Sequence, residues 1–127
     1  MRHTVVLFGE AEKGQFQRPY PVKDLSQLID SFGHPPPESE GLFFAIQALL
    51  FERDLLYFRV TEEGFSANDY LKGFHILQNS KEIAKIDAIC LPGVGDNKIL
   101  KASEKISHKH KSFLIVDQKA LFDYLTM

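Results

Sequence analysis

The segment Gly41–Val60, GLFFAIQALLFERDLLYFRV, decides the fold. Residues Leu42 to Phe51 are apolar at every position except Gln47. A helix that is apolar nearly all round belongs in an interior, because a surface helix needs only one apolar stripe. A charged break, Glu52-Arg53-Asp54, follows. The run Leu55–Val60 is then aromatic and largely apolar on both alternating faces, the pattern of a central parallel strand covered by helices. The reading is a core helix that delivers the chain into a core strand. One long buried helix over 42–60 is the alternative, and the charged break argues against it.

Working outward, Thr4–Phe8 (TVVLF) is β-branched and apolar, closes on Gly9, and reads as a buried strand. Glu10–Tyr20 is polar with a Gly and a Pro and reads as a loop. Pro21 suits a helix start, and Val22, Leu25, Leu28, Ile29 and Phe32 recur on one helical face. Gly33 stops that helix, the prolines at 35–37 hold the chain extended, and Ser39 is placed to cap the buried helix. Beyond the core strand, Thr61–Gly64 turns the chain. Ser66 opens a helix through about Asn79, with Tyr70, Leu71, Phe74 and Leu77 inward.

Ile86–Leu91 is a third strand and Ser112–Val116 a fourth. Between them a helix over roughly 96–109 carries Ile99, Leu100 and Ile106 inward and Lys98, Lys101, Glu104 and Lys105 outward. Ala120–Leu125 is a short final helix. Strands alternating with helices predict parallel βαβ units, hence an α/β three-layer sandwich with a mainly parallel sheet of about four strands. At 127 residues the chain is one domain, 1–127.

Composition narrows the function classes. A formal net charge of -2 gives no reason to expect nucleic acid or an anionic membrane as partner. The lone Cys90 cannot form an internal disulfide, so the fold needs no oxidising compartment. No apolar run is long enough to span a bilayer, and the N-terminal MRHTVVLFGEAEKG is far short of a signal peptide. Synthesis in a cytoplasm is expected. Eleven Phe with no Trp is unusual, and suits an interface as well as a core.

In an open α/β sheet, sites gather at the carboxyl ends of the strands. The candidates there are Glu10, Arg59, Gly93, Gly95, Asp96 and Asp117. Gly93-Val94-Gly95 before a helix could offer N–H groups to an anion, but the third glycine of a dinucleotide fingerprint and the Gly-Lys of a phosphate loop are missing. Glu10, Asp96 and Asp117 could converge on a hard cation, although each also suits its own loop or helix terminus. His108-Lys109-His110-Lys111 complements a helix C-terminus, and alternate residues on a helix point apart, which disfavours a metal pair. Ser103, His108 and Asp117 supply triad residue types without a nucleophile elbow, and Cys90 lies inside an apolar strand. No catalytic constellation and no cofactor or metal site is read from these residues.

Taken in order, the pieces resemble the core of contractile tail sheath proteins of bacteriophages and phage-derived particles. Leu7–Val22 resembles the opening strand and its G-x-A-x-x-G segment (Gly9, Ala11, Gly14), and Asp24–Gly33 the helix that ends in Phe-Gly. Leu42–Thr61 resembles the helix leading to a strand that ends in Arg-Val. YLKGFHILQN, IDAICLPGVGD and FLIVDQKALFDYL resemble the second half of the core. The resemblance covers about Val5 to Leu125. It implies a subtilisin-like fold without protease activity, and a mechanical role in which subunits stack helically around a tail tube. Sheath subunits interlock through terminal arms that augment a neighbour's sheet, and this chain resembles the minimal core without them.

The expected function is therefore structural and non-enzymatic. Partners would be the chain itself, other sheath-like subunits or a tail tube protein, in a bacterial cytoplasm, a virion or a phage-like particle. A small α/β enzyme or ligand-binding domain using the strand-end rim is the alternative. A monomeric adaptor that caps a sheath is the third.

Overall fold

The computed structural model describes residues 3–81, 83 and 85–127. Met1 and Arg2, the start of the segment weighed above as a signal peptide, lie outside the described residues. Strand β1 (Thr4–Gly9) is central, and β2 (Pro19–Val22), helix α1 (Leu25–Phe32), α2 (Gly41–Leu50) and β3 (Asp54–Arg59) follow. The second half runs α3 (Ala67–Asn79), β4 (Ala88–Cys90), α4 (Asn97–His110), β5 (Phe113–Ile115) and α5 (Gln118–Leu125). The strands form one sheet in the order β2-β3-β1-β4-β5. All neighbours are parallel except β2 and β3.

The helix-into-strand reading of 41–60 holds, with α2 turning into β3 across the charged break. Strand alternation then builds two cores. Val5 and Leu7 of β1 join Leu55 and Tyr57 of β3 on the face covered by α1, α2 and α5. Val6, Phe8 and Phe58 lie on the other face, under α3 and α4. There Phe8 stacks on Phe58 at 4.6 Å and meets Phe74 edge-on at 5.1 Å, geometries that aromatic pairs favour. Gly73 of α3 sits where any Cβ would strike the Phe8 ring.

The sheet departs from expectation in one strand. Residues 19–22, assigned above to a loop and a helix start, form β2, so five strands stand where about four were predicted and one pairing is antiparallel. Proline in a sheet is confined to edges, and β2 is an edge. Neither Pro19 nor Pro21 can donate to β3, so the exchange falls on Tyr20 and Val22, and the outer side of β2 carries no proline N–H. Consequently α1 begins only at Leu25, capped by Asp24, whose carboxylate accepts from the Gln27 N–H at 2.9 Å.

Smaller differences follow from packing. Ile29 of the predicted inward face of α1 is 56% exposed, and in α2 Leu50 is 58% exposed although Leu42, Phe44, Ala45, Ala48 and Leu49 are buried. Leu71 of α3 is also partly exposed. Ser39 bonds Pro36 instead of capping α2, whose cap residue is Glu40. Ser66 does precede α3, but its hydroxyl binds the backbone of Glu62. No described helix is long and apolar enough to cross a membrane.

Candidate functional site

The connections from β1 and β4 leave in opposite directions, β1 toward β3 and β4 toward β5, so the crevice between their carboxyl ends is the topological switch point of the sheet. A cavity of about 430 Å³ lies there, lined by Glu10, Pro37, Glu38, Glu40, Glu62, Glu63, Phe65 and Gly93. Five glutamates and no cation line it.

Its deepest carboxylate belongs to Glu63, in the turn after β3. Oε1 accepts from the N–H of Glu10 at 2.9 Å and of Gly41 at 2.7 Å, and Oε2 from the N–H of Glu40 at 2.8 Å. Glu10 returns the bond, its Oε2 accepting from the Glu63 N–H at 2.9 Å. The Tyr57 hydroxyl donates to the Glu10 carbonyl at 2.9 Å. Thus α2, which has no side-chain cap of its own, has its first N–H groups capped from across the molecule by Glu63, a carboxylate where the helix dipole favours one. Gly9 and Gly41 make this possible: a Cβ on Gly9 would lie 2.6 Å from the Gly41 Cα and 2.5 Å from the Tyr57 hydroxyl. Burial pushes the Glu63 carboxyl above the usual range, against the pull of its three N–H donors and with the Glu10 charge adding to the rise.

Arg59, at the end of β3, points into the 10–18 loop. Its guanidinium donates to the carbonyls of Ala11 at 3.2 Å and Gly14 at 2.6 Å and lies 4.2 Å from the Phe16 ring centre. Asp69 closes the same region, accepting from the Thr61 N–H at 2.8 Å and Gln17 Nε2 at 3.2 Å. Burial opposes its ionisation, and these donors outweigh burial and hold its pKa below the usual value.

The other rim candidates serve their own helices. Asp96 caps α4 through the Lys98 and Ile99 N–H groups, and Asp117 caps α5 through Ala120. Gly93 has φ 77, a conformation that favours glycine, and its carbonyl closely approaches Gly64 of the neighbouring turn. Gly95 is exposed beside it. Of the three acids considered for a cation, only Glu10 lines the cavity. Among the described residues no three His, Cys, Asp or Glu side chains are grouped to hold a metal ion. The Ser103 hydroxyl donates to Leu100, and His108 is solvent-exposed. Cys90 is buried, and burial pushes its thiol pKa up, away from thiolate chemistry.

A second surface lies at the far edge of the sheet. Among the described residues, strand β5 pairs only with β4. Phe113 and Ile115 face that partner, the Phe113 N–H donating to Asp87 and the Ile115 carbonyl accepting from Leu91. The intervening Leu114 therefore turns its N–H and C=O outward. A groove of about 250 Å³ runs beside it, lined by Phe113, Leu114, Ile115, Ala120, Asp123, Tyr124 and Met127. Phe113 is 48% exposed, and Val116, Phe122 and Met127 add apolar surface nearby.

Two of these features escaped the sequence reading. Glu63 looked like an ordinary turn residue, since nothing local links it to Glu10 or Gly41. The groove at β5 is formed by a strand and a helix that the sequence reading expected, but the sequence reading assigned no strand order and so no edge. No protein-family model and no curated protein matches the chain.

Proposed function

We propose that the chain is a structural, non-enzymatic subunit that works by association, resembling the core of a contractile tail sheath subunit of a bacteriophage or phage-derived particle. Its partners in this reading are other copies, sheath-like subunits and a tail tube protein. The subtilisin-like arrangement of the three layers belongs to the same proposal.

The observation that carries the reading is the asymmetry of the two sheet edges. β2 is blunted by Pro19 and Pro21, whereas β5 presents outward backbone groups next to an apolar groove. An open edge with side-chain pockets accepts an extended segment as an added strand, with main-chain bonds giving affinity and the pockets specificity. Two segments of the resemblance also meet in space, because Arg59 of the Arg-Val strand holds the carbonyls of Ala11 and Gly14 in the G-x-A-x-x-G segment.

The test is sedimentation of the purified chain over a wide concentration range, with negative-stain images of what grows. Rings, tubes or filaments that Phe113→Lys suppresses, and that Ile29→Lys on the exposed side of α1 leaves intact, support the proposal. A monomer at every concentration overturns it.

The cavity at the switch point favours a second reading, a small α/β ligand-binding domain. Its five glutamates would take a cationic ligand. Calorimetry with polyamines and basic dipeptides tests it, and heat that disappears in Glu38→Gln/Glu62→Gln would favour this reading over the first.

A further inference from the structure

Charge is distributed unevenly over the molecule. The chain carries a formal net charge of -2, yet residues 97–111 hold five lysines against one glutamate. Ile99, Ser103 and Ile106 turn into the core, and Lys98, Lys101, Lys105, His108, Lys109 and Lys111 are exposed. Among the described residues none of these lysines is in an ion pair, and neither is any of the five glutamates of the switch-point cavity.

Topology keeps the two charged surfaces apart. α4 leaves the carboxyl end of β4 and returns to the amino end of the parallel strand β5, so it runs against the strands. Its 14 residues span about 21 Å. The basic end, Lys105 to Lys111, therefore lies at the opposite pole from Glu38, Glu40 and Glu62. That separation exceeds the Debye length of about 8 Å at physiological salt, so the two surfaces do not neutralise one another within one molecule.

We infer that the basic C-terminal end of α4, Lys105 to Lys111, docks on the acidic carboxyl rim of a second copy, so that copies stack head to tail along the strand direction. This rests on the reading of the chain as a self-associating subunit and gives it an ionic interface besides the β5 edge. A second copy fits better than a polyanion, because outside α4 the chain is acidic and repels a long negative polymer. The exposed Phe65 beside the rim offers the aliphatic stems of incoming lysines an apolar surface. Such a contact is heterologous, and heterologous contacts propagate into rings or filaments.

Sedimentation velocity at low ionic strength and at about 0.5 M salt tests the docking, since exposed charge pairs are screened within a few ångströms at the higher salt. Three chains are compared: wild type, Lys105→Glu/Lys109→Glu and Glu38→Lys/Glu62→Lys, with none of the changed residues in the Glu63 network. Wild type is expected to associate at low salt and to weaken about tenfold or more at high salt. Each double variant alone is expected to weaken to a similar degree, and an equimolar mixture of the two to recover association. Association that ignores both salt and charge reversal, or a mixture that fails to recover, overturns the docking and leaves the edge reading standing. A wild-type monomer throughout overturns both. DNA binding lost in the α4 variant, without copy–copy association, would assign that face to nucleic acid instead.

Discussion

The carboxyl rim of the sheet and its β5 edge are both places where an α/β protein exposes polar backbone. At the rim those groups are already engaged. The N–H groups of Glu10, Glu40 and Gly41 converge on one carboxylate, and the carbonyls of Ala11 and Gly14 on one guanidinium. At β5 the outward groups of Leu114 have no such partner among the described residues, and the surrounding side chains are largely apolar, with Asp123 the one charge in the groove. At the rim, Glu63 and Arg59 hold backbone groups of the fold together, while at β5 backbone groups face outward beside a largely apolar groove. A rich hydrogen-bond network is therefore weak evidence of a site unless an atom in it remains free.

The comparison is broken most directly at Glu63. Glu63→Ala leaves three backbone donors at the α2 N-terminus and the β1 loop without their acceptor, and should lower unfolding stability by about 3 kcal/mol in urea titrations. Glu63→Gln should lose less, because it retains one acceptor oxygen. A change below about 0.5 kcal/mol for the alanine variant would mean the rim is not a structural latch.

Arg59→Ala should cost about 2 kcal/mol, with faster amide exchange confined to the 10–18 loop. Arg59→Lys should recover little, since an ammonium lacks the planar fork that reaches both carbonyls. Exchange spread evenly over the chain would contradict a local role.

At the open edge the prediction reverses: association changes while stability does not. Phe113→Lys should move stability by less than about 1 kcal/mol and weaken self-association about tenfold. The opposite manipulation, Pro21→Thr, restores an N–H to the outer side of β2 and should add a concentration-dependent species in sedimentation. If it adds none, proline is not what keeps that edge closed.

The smallest effect is a pH slope. Burial, helped by the Lys109 charge, lowers the His110 pKa from 6.5, and its Nε2 is buried without a partner. The unfolded chain then binds more protons at this residue than the native one. Stability contributed here should rise with pH between the lowered native value and 6.5 and be flat above it. His110→Gln should flatten that part of a stability–pH curve, and an unchanged slope would assign it elsewhere.

Much of the architecture was legible because local pattern and burial agree along the segments that matter. In Leu55–Phe58, residues of both alternating faces are apolar, and each face meets its own helical layer. Asp96 and Asp117 were read as alternatives, site or cap, and the geometry makes both caps. The misreading at 19–22 has an equally local cause. A proline-containing segment looks like a loop or a helix start until its neighbour is known, and only an edge position lets it be a strand.

From its sequence alone, then, this protein is an α/β chain with α2 running into the core strand β3, because side-chain periodicity and backbone preference act over a few residues. Which strands lie at the edges was settled only in three dimensions. So were the capping of α2 by a glutamate 22 residues further along the chain and the placing of basic and acidic surfaces at opposite poles. Each depends on the order of strands in the sheet, and that order is set by how two apolar layers close over both faces at once.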